Sequence, residues 1–335
     1  MKNYQFHLGI DISKSKLDVA IISKEDPNKR EFLKVKNTSK GVKSIVDWLK
    51  KKKIELESVL FCCENTGVYT NPLTIYLAKE GLDCWVVPAI EIKKSKGISR
   101  GKNDKTDALD IAWYSIRNID KLRLYETPGK ELQQLKVLNA EREKVMKAIA
   151  ALERSQENKE FMDKEIYSVL RPINAKAVKN LKDALKLIDR KIKEIINSSK
   201  ELKQQVKLVR SVKGIGEQTS IYLVISTREF KDFDNWRKLA CYSGIAPFEY
   251  SSGSSVRGKT RVNHFADKKL KTLLHMCALS AIKHDSQIKE YYNKKKAEGK
   301  HSLLVLNNVK CKLVSRVFAV INRQTPYVEL NKFAA

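Results

Sequence analysis

The sequence predicts an α/β domain with a mixed sheet, followed by chain that is almost entirely helical. Three observations predict this division. Between residues 4 and 87, short runs rich in Ile, Leu and Val alternate with helical patterns, as in a sheet covered by helices. Residues 131–206 contain no glycine and repeat apolar side chains at heptad spacing. The last third places glycine turns between apolar stripes of helical period. We therefore predict a sheet domain at 1–125, a helical linker at 126–206 and a C-terminal domain at 207–335.

The first predicted element is a β-hairpin. Two apolar runs between Tyr4 and Ile22 flank a polar turn at residues 13–16. Asp11 stands near the end of the first strand. Because a sheet core rejects a lone carboxylate, Asp11 faces either solvent or a cation.

The next elements continue the sheet and cover it with helices. They are a strand at 31–36, a helix at 42–53 capped by residues 37–41, a strand at 58–63, a helix at 71–80 and a strand at 84–87. The strand at 58–63 is a continuous apolar run, typical of a parallel strand buried on both faces, and Glu64 follows it. Ligands of such sheets bind at the carboxyl ends of the strands, which is where Asp11 and Glu64 are expected.

Two further acids begin the next predicted helix. Asp104 and Asp107 are three residues apart and so share one helix face, which Asp110 continues. The ordinary preference for acids at helix N-termini is the alternative explanation. Together with Asp11 and Glu64 they make four carboxylates, which would repel each other unless divalent cations neutralised them. Mg²⁺ or Mn²⁺ suits such oxygen ligands, and the set predicts phosphoryl transfer of the nuclease type.

The middle of the chain predicts two long helices. Leu138, Val145 and Leu152 form a heptad seam that contains Arg142. We expect Pro172 to break the helical run. A second seam is cleaner and consists of Val178, Leu181, Leu185, Ile188, Ile192 and Ile195. The pair is either an antiparallel coiled-coil hairpin or a dimerisation arm.

The last third opens with a Gly-Ile-Gly turn between two predicted helices. Such a helix-hairpin-helix pattern brings backbone amides to a DNA phosphate, and Lys213, Gly214 and Gly216 are its candidate contacts. A simple tight turn between helices is the alternative.

A serine-rich stretch follows a predicted helix at 236–242. Four serines precede Arg257, Lys259 and Arg261 in what reads as a loop. The loop either binds phosphate through its basic residues or supplies a serine nucleophile. No histidine base is adjacent, so metal or carboxylates would have to activate the serine. Helices at 266–283, 287–297 and 303–322 close the chain.

Charge points to nucleic acid as the partner. Lys and Arg number 66 against 39 Asp and Glu, which gives a net charge of +27, and the last third is the most basic. Such an excess favours phosphate contacts, although a Lys-rich solvated surface has the same composition. We expect no membrane partner and a cytoplasmic location, nucleoid-associated when DNA is bound, because no apolar run has the length of a membrane span and no signal pattern opens the chain. Six cysteines without zinc spacing predict reduced thiols.

Five motifs, in order, carry a family resemblance. They are Gly9-Ile-Asp11, Glu64-Asn-Thr-Gly-Val-Tyr, Lys102-Asn-Asp104-Lys-Thr-Asp107-Ala, Val212-Lys-Gly-Ile-Gly-Glu and Tyr250-Ser-Ser252-Gly-Ser-Ser-Val-Arg-Gly. In this order and spacing they resemble the DEDD-type transposases of the insertion-sequence one-ten family, relatives of the Piv DNA invertases. The resemblance spans essentially the whole chain.

The resemblance implies a fold and a reaction. It implies a RuvC-like (RNase H-like) domain, a coiled-coil insertion and a C-terminal transposase domain. It assigns Asp11, Glu64, Asp104 and Asp107 as Mg²⁺ ligands and Ser252 as nucleophile, although the preceding Ser251 offers a second hydroxyl. It further implies a bridge RNA that pairs with donor and target DNA, and dimers that join into tetramers with composite active sites from different protomers.

Three other functions remain open. A metal-dependent nuclease would use the four acids alone and cut DNA without Ser252. A protein-directed invertase of the Piv type would need no RNA. A non-catalytic RNA or DNA scaffold is a third, against which the intact set of acids argues. The recombinase hypothesis predicts strand exchange without net hydrolysis, because a serine phosphodiester retains the bond energy for religation.

Overall fold

The computed structural model describes residues 2–95, 104–154, 161–252, 256–262 and 266–328. The chain divides into two compact units, Met1–Thr127 and Pro128–Ala335. The helical segment that was predicted as a linker belongs to the second unit, and the predicted three-part division stays a prediction. Within the described residues, none of the helices combines the length and the apolar composition that crossing a bilayer requires.

The first unit is built on a five-stranded mixed sheet, as predicted. Its strands are β1 (Phe6–Ile12), β2 (Lys16–Ser23), β3 (Arg30–Lys36), β4 (Val59–Glu64) and β5 (Cys84–Val87), in the order β3-β2-β1-β4-β5. β1, β4 and β5 are parallel, whereas β2 and β3 are antiparallel additions at one side. The carboxyl ends of β1 and β4 therefore lie at the same edge of the sheet.

In the described part of the first unit, four helices cover the sheet on its two faces. They are α1 (Ser39–Lys51), α2 (Asn71–Lys79), α3 (Ala89–Ser95) and α4 (Asp104–Arg117). The core on one face joins strand residues such as Leu8 and Ile10 to helix residues such as Leu49 and Leu77. The core on the other face joins Leu60, Cys62 and Trp85 of the strands to Ile92 of α3 and to Ile111 and Tyr114 of α4. The sequence analysis did not predict α3.

Helix α4 lies directly on β1. A Cβ added at Gly9 would lie 2.0 Å from the carbonyl oxygen of Ala108 and 2.4 Å from the amide nitrogen of Ala112, so only glycine permits this approach. Nearer the start of β1, His7 Nδ1 and Ser115 Oγ are hydrogen-bonded at 2.8 Å. The helix therefore runs antiparallel to β1, and its N-terminal residues lie towards the carboxyl end of that strand.

The second unit is mainly helical, as predicted. Its elements are α5 (Lys130–Arg154), α6 (Lys164–Ser198), α7 (Lys200–Ser211), α8 (Glu217–Ser226), α9 (Trp236–Tyr242), β6 (Pro247–Ser252), β7 (Val256–Val262), α10 (Lys268–His284), α11 (Ser286–Ala297) and α12 (Ser302–Arg323). α12 contributes residues such as Val309, Leu313 and Val317 to a core shared with α7, α8, α9 and α10. Arg316 of α12 contacts the fully buried carboxylate of Asp285 at 2.6 Å, which gives that charge a partner.

Helices α5 and α6 pack against each other in antiparallel fashion. Arg142, the charged residue in the first heptad seam, contacts Asp189 at 2.7 Å, and Glu153 contacts Lys182 at 2.7 Å. The expectation that Pro172 breaks the helix is wrong, because α6 continues through it. A proline inside a helix removes one backbone donor and crowds the preceding turn, a local cost that does not have to end a helix of 35 residues.

Candidate active site

The register of three neighbouring strands aligns three carboxylates at one edge of the sheet. Asp11 of β1 lies directly opposite Asp18 of β2. On the other side of β1, Ile10 pairs with Cys63 of β4, so the next residues, Asp11 and Glu64, are neighbours as well. Adjacent strands are about 4.8 Å apart, which makes Asp18, Asp11 and Glu64 a continuous row across the sheet. We call these three residues the carboxylate row.

The carboxylate row lies on the face that α4 covers. Residues two apart on a strand share a face, and Asp11 follows His7 and Gly9, both of which contact α4. Glu64 likewise follows Cys62, which packs in the core that contains Ile111 of α4. The start of α4 therefore approaches the carboxylate row.

The structure places the backbones of all four predicted acids near the edge of the sheet where β1 and β4 end. Asp11 and Glu64 end neighbouring parallel strands, and Asp104 and Asp107 lie in the first turn of α4. Asp11, Glu64 and Asp107 are half-buried. The structure describes the backbone of Asp104 but not its side chain.

Asp18 is a buried acid of the carboxylate row that the sequence analysis did not single out. It is only 6% exposed, although it is charged. Lys16 Nζ lies 3.3 Å from its Oδ2, and Lys34 Nζ lies 3.7 Å from its Oδ1. The available signal was its place on the second strand of the predicted hairpin, where one register sets it across from Asp11.

The chemistry of these donors suits a hard divalent cation. Carboxylate oxygens at a helix N-terminus and a sheet edge are ligands that Mg²⁺ and Mn²⁺ accept. Among the side chains that the structure describes, no three of the type His, Cys, Asp or Glu converge closely enough to hold a metal ion. Since the side chain of Asp104 is outside that set, the predicted ligand group is incomplete in the described residues.

Titratable groups beneath α4 are held in their neutral forms. Burial, with a smaller contribution from the charge of Lys24, lowers the pKa of His7 to about 4. Burial raises the pKa of the Cys62 thiol well above its ordinary value. His7 is therefore a neutral hydrogen-bonding contact between β1 and α4 near neutral pH.

The Gly-Ile-Gly turn joins α7 to α8, and its first glycine packs inward. Gly214 has a φ of +95°, and an added Cβ would lie 2.6 Å from Ala281 Cβ and 2.8 Å from the carbonyl oxygen of Cys277, both on α10. Gly216 is exposed and begins α8, with open space where a Cβ would be. Lys213 is half-buried beside them. Gly214 thus lets the turn pack against α10. The N-terminus of α8, next to the exposed Gly216, is the part of the turn that an anion could reach.

Where it is described, the serine-rich stretch forms two strands, which corrects the prediction of a loop for these residues, and residues 253–255 between the strands lie outside the described part of the chain. β6 and β7 pair in antiparallel register, with Ser252 opposite Val256 and Ser251 opposite Arg257. Lys259 lies within β7, and Arg261 pairs with Phe248 beyond an irregularity in the register. Phe248 and Tyr250 alternate with polar residues in β6, and a valine stands at each end of β7, but the serines and glycines obscured this signal. The side chains of Ser251, Ser252, Arg257, Lys259 and Arg261 lie outside the described set.

A carboxylate row at the carboxyl edge of a mixed sheet, joined to a strongly basic helical unit, is typical of enzymes that act on nucleic acid phosphodiesters. Two family models match this chain. DEDD_Tnp_IS110, described as a transposase, matches residues 8–158, and a model described as "Transposase IS116/IS110/IS902 family" matches residues 206–293. The chain belongs to the IS110 family of transposases, and it is therefore an enzyme of DNA recombination.

Named relatives match this chain over most of its length. The "Pilin gene-inverting protein" of Moraxella bovis is 23% identical over 96% of this chain and 97% of its own length, and that of Moraxella lacunata matches to the same extent. The "Transposase for insertion sequence element IS1533" of Leptospira borgpetersenii is 23% identical over 69% of this chain and 72% of its own length. A match was also found to the solved structure "T. thermophilus RuvC in complex with Holliday junction substrate". The match covers 36% of this chain and 100% of the RuvC chain, at 12% sequence identity. Its TM-score of 0.27 is too low to establish a shared fold.

Proposed function

We propose that this transposase cuts and rejoins DNA through a covalent serine intermediate, with a divalent metal bound by Asp11, Glu64, Asp104 and Asp107. The observation that carries the proposal is the convergence of strand ends: Asp11 and Glu64 are neighbours in the register, and α4 begins at the same edge. The metal, Mg²⁺ or Mn²⁺, would activate oxygen nucleophiles and neutralise charge on the reacting phosphate.

In this proposal Ser252 carries out the covalent step of the reaction. The oxygen of Ser252 forms a bond to phosphorus, the bond from phosphorus to the 3′ oxygen breaks, and the serine proton ends on that 3′ oxygen. The product is a serine phosphodiester with the 5′ end and a free 3′-hydroxyl. Attack by a 3′-hydroxyl of another strand reverses the chemistry and releases the serine, so no external energy source is needed.

Basic groups of the second unit are the proposed phosphate contacts. Arg257, Lys259 and Arg261 follow the nucleophile on the ribbon. Lys213 and the amides at the exposed start of α8, after Gly216, suit a backbone phosphate of double-stranded DNA. Gly214 supports that surface by its packing on α10.

We further propose that a structured bridge RNA directs the enzyme to donor and target DNA. The net charge of +27 supports contacts to more than one nucleic acid. Sequence choice by base pairing leaves the protein with backbone contacts, as in other RNA-guided systems. In this proposal the enzyme acts in the cytoplasm, associated with the nucleoid, as a homodimer that pairs into a homotetramer.

A protein-directed invertase is the second candidate, and one observation favours it. The relatives that match over nearly the whole chain are named as pilin gene-inverting proteins. An invertase would recombine its DNA sites in the absence of RNA, whereas the guided enzyme would not.

The deciding experiment is a covalent-adduct assay. Full-length protein, RNA transcribed from the flanking element and end-labelled donor and target duplexes are incubated with Mg²⁺ and resolved on a denaturing gel. We expect a protein-linked DNA band with wild type and with Ser251→Ala, and no such band with Ser252→Ala or Asp11→Ala. The Ser251→Ala variant is the matched control, because it removes a hydroxyl from the adjacent position.

Each other outcome assigns a different function. Cleavage without an adduct that persists in Ser252→Ala supports a metal-dependent nuclease and overturns the serine mechanism. Loss of the band in Ser251→Ala alone moves the nucleophile to that residue. An adduct that forms equally well without RNA supports the invertase.

A further inference from the structure

Lys310 is a buried lysine of α12 that the proposed reaction does not use. The residue is 6% exposed. Its Nζ lies 3.4 Å from Oδ1 of Asn307, one turn earlier on the same helix, which is a long and therefore weak hydrogen bond. Within the described part of the chain, no carboxylate lies within ion-pair distance of Lys310.

A second lysine lies near Lys310, on the neighbouring helix α10. Burial, with a further contribution from the charge of Lys271, lowers the pKa of Lys310 below its ordinary value. Lys271 is half-buried, and among the described residues its ammonium group has no acidic partner either. Two positive charges therefore lie near each other, and no described carboxylate balances them.

This arrangement is costly for the folded protein. A buried ammonium group without a counter-charge is strongly unfavourable, and a second positive charge nearby adds to the cost. Later in the same helix, the protein does balance a buried charge, because Arg316 contacts the carboxylate of Asp285 at 2.6 Å. A buried group that departs from this rule is a candidate for function, and the group that would complete it is an anion.

Asn307 relates Lys310 to the ribbon formed by β6 and β7. Its Nδ2 donates to the carbonyl oxygen of Ile245, two residues before β6, so Lys310 lies near the base of the ribbon. The proposed nucleophile, Ser252, stands at the other end of β6, whose 6 residues span about 17 Å. Since a DNA strand rises about 3.4 Å per nucleotide along the helix axis, the same length corresponds to about five nucleotides.

We propose that Lys310 and Lys271 bind one backbone phosphate of duplex DNA at the base of the ribbon. The inference rests on the proposed function in one respect, because it takes the cleaved DNA strand to lie along the ribbon that carries Ser252. A phosphate supplies the negative charge that both ammonium groups lack, in the form of strong hydrogen-bond acceptors. The flexible stem of a lysine can stay packed in the core while its ammonium group meets the phosphate.

The rival explanation is a structural hydrogen bond between Lys310 and Asn307. In that case the replacement of Lys310 lowers the stability of the protein and leaves its affinity for DNA unchanged. The DNA-binding explanation predicts the opposite for both quantities, so the two measurements together separate them.

The test is a titration of a fluorescent duplex of the donor sequence with full-length protein, followed by fluorescence anisotropy at several salt concentrations. EDTA is present, so that neither cleavage nor metal binding contributes. Wild type is compared with Lys310→Met and Lys271→Met, because methionine keeps an unbranched apolar stem without the charge. The matched control is Lys283→Met, which removes one charge from the exposed end of the same helix α10.

We expect Lys310→Met and Lys271→Met each to weaken duplex binding by about 10-fold, as the loss of a charge-assisted hydrogen bond does. The slope of log affinity against log salt concentration should fall by about 1 in each variant, because one phosphate contact is lost. Lys283→Met should leave the slope unchanged. In the absence of DNA, Lys310→Met should unfold at a higher temperature than wild type, because an unbalanced buried charge is removed.

Two results would overturn the inference. The first is wild-type affinity and salt slope in Lys310→Met, and a lower unfolding temperature alongside them would support the structural hydrogen bond. The second comes from the same titration with RNA transcribed from the flanking element: a loss of affinity confined to RNA would assign the phosphate to RNA. If Lys310→Met does not fold, the half-buried Lys271→Met decides by the same criteria.

The covalent adduct at Ser252 is measured separately, so that the two proposals can fail independently. An adduct that forms with wild type while both lysine variants bind duplex normally leaves the proposed function standing and removes this inference. Absence of duplex binding by wild type itself would remove both.

Discussion

Two glycines that both belong to family motifs do opposite things in the two units. In the first unit, Gly9 lets α4 approach β1 and so brings a helix to the carboxylate row. In the second unit, Gly214 lets the Gly-Ile-Gly turn approach α10, and the close contact lies in the interior. One close approach positions candidate reacting groups, and the other packs a core.

The difference shows that a motif glycine need not touch the ligand. At Gly9 the functional consequence is indirect, because the residues brought near are Asp104 and Asp107 at the start of α4. At Gly214 the close contact is with buried residues of α10, and the exposed neighbour Gly216 caps the start of α8. Both glycines permit close packing. Their contribution to function differs because different residues lie next to the two contacts.

The largest expected effect comes from Gly9→Ala. Because the new Cβ would overlap the Ala108 carbonyl oxygen, α4 has to move, and we expect a loss of about 3 kcal/mol or more of unfolding free energy. DNA cleavage should fall even where the protein remains folded, since the acids of α4 move with the helix. Urea denaturation and the cleavage assay measure the two effects.

Gly129→Ala is the matched control for that change. The nearest atom to its added Cβ is a flexible side-chain oxygen of Glu131 at 3.6 Å, so stability should stay within about 0.5 kcal/mol of wild type. Wild-type stability and cleavage in Gly9→Ala would show that α4 does not depend on this contact.

Gly214→Ala should have the next largest effect. Steric overlap with α10 and the positive φ together predict a loss of about 2 to 3 kcal/mol in unfolding free energy. Gly216→Ala should leave stability nearly unchanged and weaken DNA binding, if the start of α8 holds a phosphate. Denaturation curves and a duplex-binding titration at fixed salt separate the two glycines; equal losses of stability would remove the contrast between them.

The smallest expected effect is a pH dependence of stability that comes from His7, which is hydrogen-bonded to Ser115 near the C-terminal end of α4. Its native pKa of about 4 lies below the ordinary 6.5, so the unfolded chain binds the proton more tightly. The contribution of neutral His7 is complete above about pH 6.5 and is lost as the pH falls towards 4. Between pH 7 and pH 5 we expect wild type to lose about 2 kcal/mol of stability through this group.

His7→Gln should remove that pH dependence, because an amide can keep a hydrogen bond to Ser115 but does not titrate. Urea denaturation of both proteins at pH 7, 6 and 5 measures the difference. Parallel pH profiles for the two proteins would mean that His7 is accessible to protons in the native state.

Much of the local structure was predictable from the sequence. Period-two alternation and a continuous apolar run predicted the strands of the mixed sheet, and β5 was predicted at its observed bounds. Two predictions were wrong where the composition was misleading: the residues on either side of 253–255 form β6 and β7 where a loop was predicted, and Pro172 lies inside α6. Helix α3 was missed because its seven residues are too few for a clear helical period.

The sequence by itself determined which acids stand at strand ends and at the start of α4, because these positions follow from local periodicity. It also determined the basic balance and the order of motifs that identify the family. Only the tertiary structure decided that Asp18 lies across from Asp11, that α4 docks on Gly9 and that Gly214 faces α10. Strand register and helix docking depend on contacts between residues far apart in the chain, and a single sequence does not record which distant residues meet.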